Sequence, residues 1–469
     1  MRDLVKNPSD LIAWIYDNLP KRTSSFPKGQ YYLKYHSEIK KLAKEFSKIG
    51  VGFTNFKNAF FNNYNLEYFE GKMKEDFLLA SLHVVSNRYK QKYNLTILEI
   101  PTIKINKTLN PLNTLYKNKY LVYPKFEQTF VDIINQLIEG ELRKRSFKNP
   151  INEDLNNYVI VKNSELKDFK YRVISYNDMR YIKNLTSDKK IQFTFVPFIK
   201  EKFREYFEVD ENLKTGDFSV IGPLNEEKNS ELLERYKKTL YEVYNSGVYP
   251  EFVIFPEMIL TDDIVYNLPK IIEGLDLKKS SLILAGTHWK DNKNTAYLYN
   301  HKGSLIASQN KYFAFDYKTK AGYKMVERIN NSNDDHILNI LDIEGIGRIA
   351  IFICKDLKSD EYLNLLRLVN VDMVFAPSYS ESNDVLSEVN NLAENYLCTT
   401  VFLNACSSGK KDIGRIVLPN KTTELPNSKE KTVRSSETRK IERKDCRDCT
   451  SFCEGIDFTL DLKEIFNSK

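Results

Sequence analysis

The sequence predicts an α/β fold for residues 188–469, preceded by a separate helix-rich α+β domain over residues 1–187. Three observations point there. From about residue 190, short apolar runs alternate with amphipathic helical stretches, the order of β-α-β units. Three of those runs end at a Glu, a Lys and a Cys, and the carboxyl ends of strands are where α/β sheets build their sites. The charge also changes near residue 190: residues 1–190 carry 33 Lys and Arg against 20 Asp and Glu, net +13, while the remainder carries 37 against 43, net −6.

The chain is 469 residues long, 42% hydrophobic and 28% charged, which suits two or three folded domains. No apolar run is long enough to span a membrane, and the N-terminus lacks the apolar core of a signal peptide. Six cysteines are too few for a disulfide scaffold, so a cytoplasmic protein with reduced thiols is expected. In the N-terminal domain Ile39, Leu42, Ala43, Phe46 and Ile49 form a helical stripe that stops at Gly50. Phe130, Ile133, Ile134, Leu137, Ile138 and Leu142 form a second, and Phe77, Leu78, Leu82 and Val85 a third. Aromatic, Asn-rich stretches such as 55–68 lie between them. The basic excess reads as a solvated Lys-rich surface or as a nucleic-acid or protein-partner surface.

In the second part, Leu232, Leu233, Tyr236, Leu240 and Val243 mark an amphipathic helix, started by Ser230 and closed near Gly247. It lies between a first strand at 191–197 and the run Phe252-Val253-Ile254-Phe255-Pro256-Glu257. The run Ser304 to Gln309 leads to Lys311, and Ile349 to Ile353 is a doubly buried strand leading to Cys354. Later helices cover Tyr362 to Val369 and Val385 to Leu397. A thiol attacks as thiolate, so it needs a base or a cation beside it. Glu257 supplies the base; Lys311 lowers the thiol pKa or holds an oxyanion.

At these residues the sequence resembles the nitrilase, or carbon–nitrogen hydrolase, superfamily, whose triad is Glu, Lys, Cys. The matching positions are Glu257 in FPE, Lys311 in QNKYFAFD and Cys354 in ICKD. The first strand at 191–197, the strand pair 282–286 and 295–299, VDMVFAPS at 371–378, LAENYLCTTVFLNAC at 392–406, IGRIVLPN and GIDFTLDL resemble the family's pieces in order. The resemblance implies an α-β-β-α sandwich and hydrolysis of a non-peptide C–N bond, amide before nitrile, through an acyl-thioester. It implies a second glutamate, Glu327, that positions Lys311, and a backbone oxyanion donor at Lys355. It implies no cofactor, a small-molecule amide or nitrile substrate, and self-association. The chain departs from the pattern at Lys355, where an aromatic is common, and at Lys358, Ser359 and Asn391, near positions where arginine is frequent. Lys355 either favours an anionic substrate or points outward.

Residues 420–453 read as a polar insertion. Cys446, Cys449 and Cys453 at its end have C-x₂-C-x₃-C spacing; they read as ordinary reduced cysteines, with a redox pair or a zinc site completed by Cys406 or an acidic residue as the other readings. The competing functional class is a nitrilase-fold regulatory or scaffold protein whose basic N-terminal domain binds nucleic acid or a protein, in a bacterial defence context. No Tyr-x-Asp-Asp signature is present, so polymerase chemistry is not expected.

Overall fold

The computed structural model describes residues 5, 8–19, 30–48, 53–88, 112–113, 120–124, 158–162, 170–176, 190–199, 201–245, 247, 249–275, 281–329, 337–343, 346–380, 384–395, 398–408, 412–418, 422–423, 432–433, 438–442, 453 and 455–461. Among the described residues, the N-terminal part has four helices, α1 (Pro8–Asn18), α2 (Gln30–Lys48), α3 (Phe53–Asn63) and α4 (Gly71–Arg88). The stripes led by Ile39 and by Phe77 form α2 and α4, and the aromatic, Asn-rich stretch forms α3. Their apolar faces close one cluster in which Trp14, Phe56, Phe60 and Phe77 are buried. The stripe from Phe130 to Leu142 lies outside the described residues. Three short strands follow, β1 (Leu112–Asn113), β2 (Tyr120–Pro124) and β3 (Tyr158–Lys162), paired antiparallel in that order. Along β3 the side chains alternate sides. Ile160 belongs to the helical cluster, while Val159 and Val161 belong to the main core.

The next strand bears on the boundary expected at 187. Strand β4 (Lys170–Tyr176) lies on the N-terminal side of it, yet pairs parallel with β14 (Ile337–Ile343) over all seven residues. A ladder of that length ties residues before 187 into the sheet that carries Cys354.

From residue 190 the strands are β5 (Lys190–Phe195), β6 (Phe207–Asn212), β7 (Asp217–Pro223), β8 (Phe252–Ile254), β9 (Leu282–Lys290), β10 (Lys293–Asn300), β11 (Leu305–Asn310), β12 (Asp316–Lys318) and β13 (Lys324–Glu327). After β14 come β15 (Gly347–Ile351), β16 (Met373–Ser378), β17 (Thr399–Asn404), β18 (Asp412–Val417), β19 (Thr422–Thr423), β20 (Thr432–Val433), β21 (Thr438–Glu442) and β22 (Ile456–Asp461). Helices α5 (Glu226–Asn245), α6 (Asp262–Gly274), α7 (Asp360–Leu368) and α8 (Asp384–Asn395) lie between them. Helix α5 starts four residues before Ser230, because Asn225 accepts from the Lys228 N–H at 2.8 Å and caps it there.

Two large sheets result, ordered β11-β10-β9-β8-β5-β22 and β21-β18-β17-β16-β15-β14-β4. They share one core. Phe193, Phe252 and Leu284 of the first lie in the same buried cluster as Ile340, Ile351 and Phe375 of the second, and the Phe252 and Phe375 rings meet edge-on at 5.0 Å. The alternate residues Val253 and Ile283 belong to a second cluster with Leu232, Tyr236 and Leu240 of α5 and Ile264 and Leu268 of α6. A third sheet, β12-β13-β7-β6, brings the β6–β7 hairpin against Glu327. Among the described residues no helix is long and apolar enough to cross a membrane.

Candidate active site

Each of the three matched side chains follows a strand. Glu257 comes three residues after β8, Lys311 directly after β11, and Cys354 three residues after β15. Glu327 ends β13. All four are 1–2% exposed, and the fold brings them together.

Lys311 Nζ is shared by two carboxylates, donating to Glu257 Oε1 at 2.7 Å and to Glu327 Oε2 at 2.8 Å. An ammonium has three protons, so one is left for a further acceptor. Asn294 Nδ2 bridges the same carboxylates, at 2.9 Å to Glu257 Oε1 and 3.3 Å to Glu327 Oε1. Only the NH₂ edge can face two carboxylates, which fixes the amide orientation. Glu327 also accepts from Trp289 Nε1 at 3.3 Å and from the Phe315 N–H at 2.9 Å. Glu257 Oε2 accepts from the Tyr379 N–H at 2.8 Å.

Burial raises the Glu257 pKa, Lys311 working against it and the Glu327 charge adding to it. For Lys311 burial pulls the other way, but Glu257, Glu327 and Cys354 outweigh it and hold the ammonium well above its ordinary value. The Cys354 thiol is pushed far up, first by burial and then by the Glu257 charge, with Lys311 and the Tyr379 N–H opposing. The resting thiol is therefore neutral, with the Glu257 carboxyl beside it.

Cys354 sits at φ +49°, in the left-handed region, as the first residue of a short 3₁₀ turn at Cys354–Lys358. A non-glycine residue there is strained and needs its surroundings to hold it. Asp356, fully buried, does so: its Oδ1 accepts from the Tyr312 and Phe313 N–H groups at 2.9 and 2.8 Å, and its Oδ2 from the Ile353 N–H at 3.1 Å. One carboxylate thus ties the segment after Lys311 to the turn at Cys354. Burial pushes the Asp356 pKa up to about 7, against those three N–H donors and Lys311.

The Lys355 ammonium pairs with Asp316, whose pKa it lowers, so its charge is met rather than offered to a substrate. Cys446 and Cys449 lie outside the described residues. Cys453 is buried in the cluster with Tyr236 and Leu240, its N–H donating to Thr239 Oγ1 at 3.1 Å. Among the described residues no group of three His, Cys, Asp or Glu is placed to hold a metal ion.

Asn294, Trp289, Asp356 and the Tyr379 N–H were not identified by sequence reasoning. Trp289, one of two tryptophans, and Asp356, two residues past the Cys, carried a signal of residue type. Asn294 and the Tyr379 backbone carried none.

No family model and no curated protein matches the chain. Solved structures do resemble it. A cysteine-to-alanine mutant of the amidase from Nesterenkonia sp. AN1, in complex with butyramide, is 10% identical with TM-score 0.34, over 60% of this chain and 94% of that one. Saccharomyces cerevisiae Nit3, a member of branch 10 of the nitrilase superfamily, is 14% identical with TM-score 0.32, over 60% and 92%. The C. elegans NitFhit protein is 13% identical with TM-score 0.35, over 60% and 62%. The C-terminal part of the chain thus resembles nitrilase-superfamily structures.

Proposed function

We infer that the protein is a thiol hydrolase that cleaves a non-peptide carbon–nitrogen bond, an amide in preference to a nitrile. The two large sheets with their flanking helices act as an α-β-β-α sandwich that presents the three strand ends to one point. Glu257 takes the proton of the neutral Cys354 thiol as the sulfur attacks the amide carbon. The developing oxyanion is met by the third Lys311 proton and the Lys355 N–H. Protonated Glu257 then gives its proton to the departing amine, and the acyl group stays on Cys354 as a thioester. Water enters, Glu257 takes its proton, and the acid leaves as the thiol is restored. Glu327 and Asn294 hold Lys311 and Glu257 in register.

The observation that carries this reading is Lys311 locked between Glu257 and Glu327 beside a buried neutral thiol. A structural ion pair needs one carboxylate; two carboxylates on one ammonium, with a thiol at hand, suit a cation that must stay charged and aimed. The test is covalent trapping by a panel of amides and nitriles, read by intact mass. An acyl adduct on Cys354 is expected. Adducts on Cys398 or Cys406, or none with any compound, would refute the assignment.

A further inference from the structure

The two carboxylates on Lys311 do not have the same partners. Lys311 Nζ and Asn294 Nδ2 serve both, so neither distinguishes them. Each carboxylate also has one backbone donor of its own, the Tyr379 N–H for Glu257 at 2.8 Å and the Phe315 N–H for Glu327 at 2.9 Å. The difference is Trp289, whose indole N–H donates at 3.3 Å to Glu327 alone. The sheet holds it there. Trp289 on β9 lies directly across from Asn294 on β10, so the two side chains leave the same face and meet the same oxygen, Glu327 Oε1.

A carboxylate has about four lone-pair positions, two on each oxygen. Among the described residues, both Glu327 oxygens meet two donors: Trp289 and Asn294 at Oε1, Lys311 and Phe315 at Oε2. In Glu257, Oε1 meets two, Lys311 and Asn294, but Oε2 meets only the Tyr379 N–H. The open position of the pair is therefore on Glu257 Oε2. That oxygen is also on the side of the thiol, since the Tyr379 N–H favours the Cys354 thiolate as well.

We propose that Trp289 is a positioning residue that keeps protons off Glu327 and so directs the Cys354 proton to Glu257 Oε2. It rests on the hydrolase reading above. As the sulfur bonds to carbon, the S–H proton binds the open position on Glu257 and that carboxyl becomes neutral. Lys311 then keeps its charge against Glu327 alone, so Glu327 must stay ionised through the step. A proton on Glu327 Oε1 would have to displace the indole or the Asn294 N–H. The titratable groups facing the pair are Lys311 and Cys354, and Lys311 also faces Asp356.

The test replaces the indole N–H by sulfur. The full chain carrying Trp14→Phe, which leaves Trp289 as its one tryptophan, is made with benzothienylalanine in place of tryptophan and compared with the same chain made with tryptophan. Trp289→Phe in the otherwise native chain is the second variant. The reaction is alkylation of Cys354 by iodoacetamide, in which the sulfur displaces iodide and gives up its proton, read by mass on the Cys354 peptide from about pH 4 to 9. With the N–H in place, the rate should fall on the acid side as Glu257 is protonated. Without it, Glu327 has an open position, and a proton there weakens the pull on the thiol proton. The acid limb should then move up by about half to one pH unit, while the plateau at higher pH stays within about threefold. An unmoved limb in both variants would overturn the proposal, and so would a loss of equal size at every pH, which would make Trp289 a packing residue. Either result leaves the hydrolase reading standing. Failure of Cys354 to react in the wild-type protein at every pH would overturn the hydrolase reading, and the role of Trp289 with it.

Discussion

At the scale of single residues, the site depends on charges that burial makes costly to misplace. Cys354→Ala removes the proposed nucleophile but no charge, and the turn at 354–358 is held by Asp356, so the variant should fold as wild type and form no acyl adduct. Cys398 and Cys406 are buried elsewhere in the core, and their alanine variants should keep the adduct. Lys311→Arg keeps the charge but sets a planar fork where a point ammonium serves two carboxylates at 2.7 and 2.8 Å. Its kcat should fall by about a hundredfold or more. Lys355→Ala should lose less than about tenfold, because the Lys355–Asp316 pair is partly exposed and the proposed donor is backbone; equal losses in the two variants would contradict the roles. The pH profile follows from Glu257. As the proposed base it must be ionised to accept the thiol proton, and burial raises its pKa above the ordinary 4.5. Activity should therefore fall, as pH drops, through a point above 4.5; an acid limb below it in kcat/KM would count against Glu257 as the base.

At the scale of elements, the apolar strands were legible in the sequence and the polar ties between them were not. Runs such as 252–254 and 349–351 announce themselves because both faces are buried. The β6–β7 hairpin went unread because it is half exposed, with Val209 and Val220 separated by charged residues. Its turn uses Gly216 at φ +71°, where an added Cβ would stand 3.2 Å from the Lys324 carbonyl oxygen. Asp356 shows the same limit, since its three donors come from two segments about 40 residues apart in the chain. Asp356→Asn keeps an acceptor for Tyr312 and Phe313 but points an NH₂ at the Ile353 N–H, so kcat should fall while substrate binding changes little. The stability effect has a definite sign. With a folded pKa of about 7 against an ordinary 3.8, the native state binds the Asp356 proton more tightly than the unfolded chain. The contribution of Asp356 to stability is therefore lost as pH rises between those values, by up to about 1.4 kcal/mol per pH unit. Urea unfolding of wild type relative to Asp356→Asn should show this slope from pH 4.5 to 7; a flat difference would place the Asp356 pKa outside that window.

At the scale of the whole molecule, composition suggested a seam at 187, and the β4–β14 ladder crosses it. Charge is a property of surfaces, and the change from net +13 to net −6 records which surfaces are basic, not where a core ends. Strand β4 lies in the basic half, yet Val173 and Ile174 are buried in the core of the acidic half. It pairs with β14, and β14 pairs with β15, the strand that leads to Cys354. A fragment starting at residue 188 would lose β4. It would expose the β14 edge along seven residues and uncover the core that Val159, Val161, Val173 and Ile174 close. An open parallel edge next to uncovered apolar surface invites aggregation. The 188–469 fragment should therefore be insoluble or form little acyl adduct on Cys354. A fragment starting near residue 155, which keeps β3 and β4, should be more soluble and more active. Co-expression of 1–187 with 188–469 should restore a complex that survives gel filtration, and a protease cut at 185–190 in the intact protein should leave the two pieces associated. A soluble 188–469 fragment with wild-type acylation would show that β4 is dispensable and that the seam at 187 is a true domain boundary.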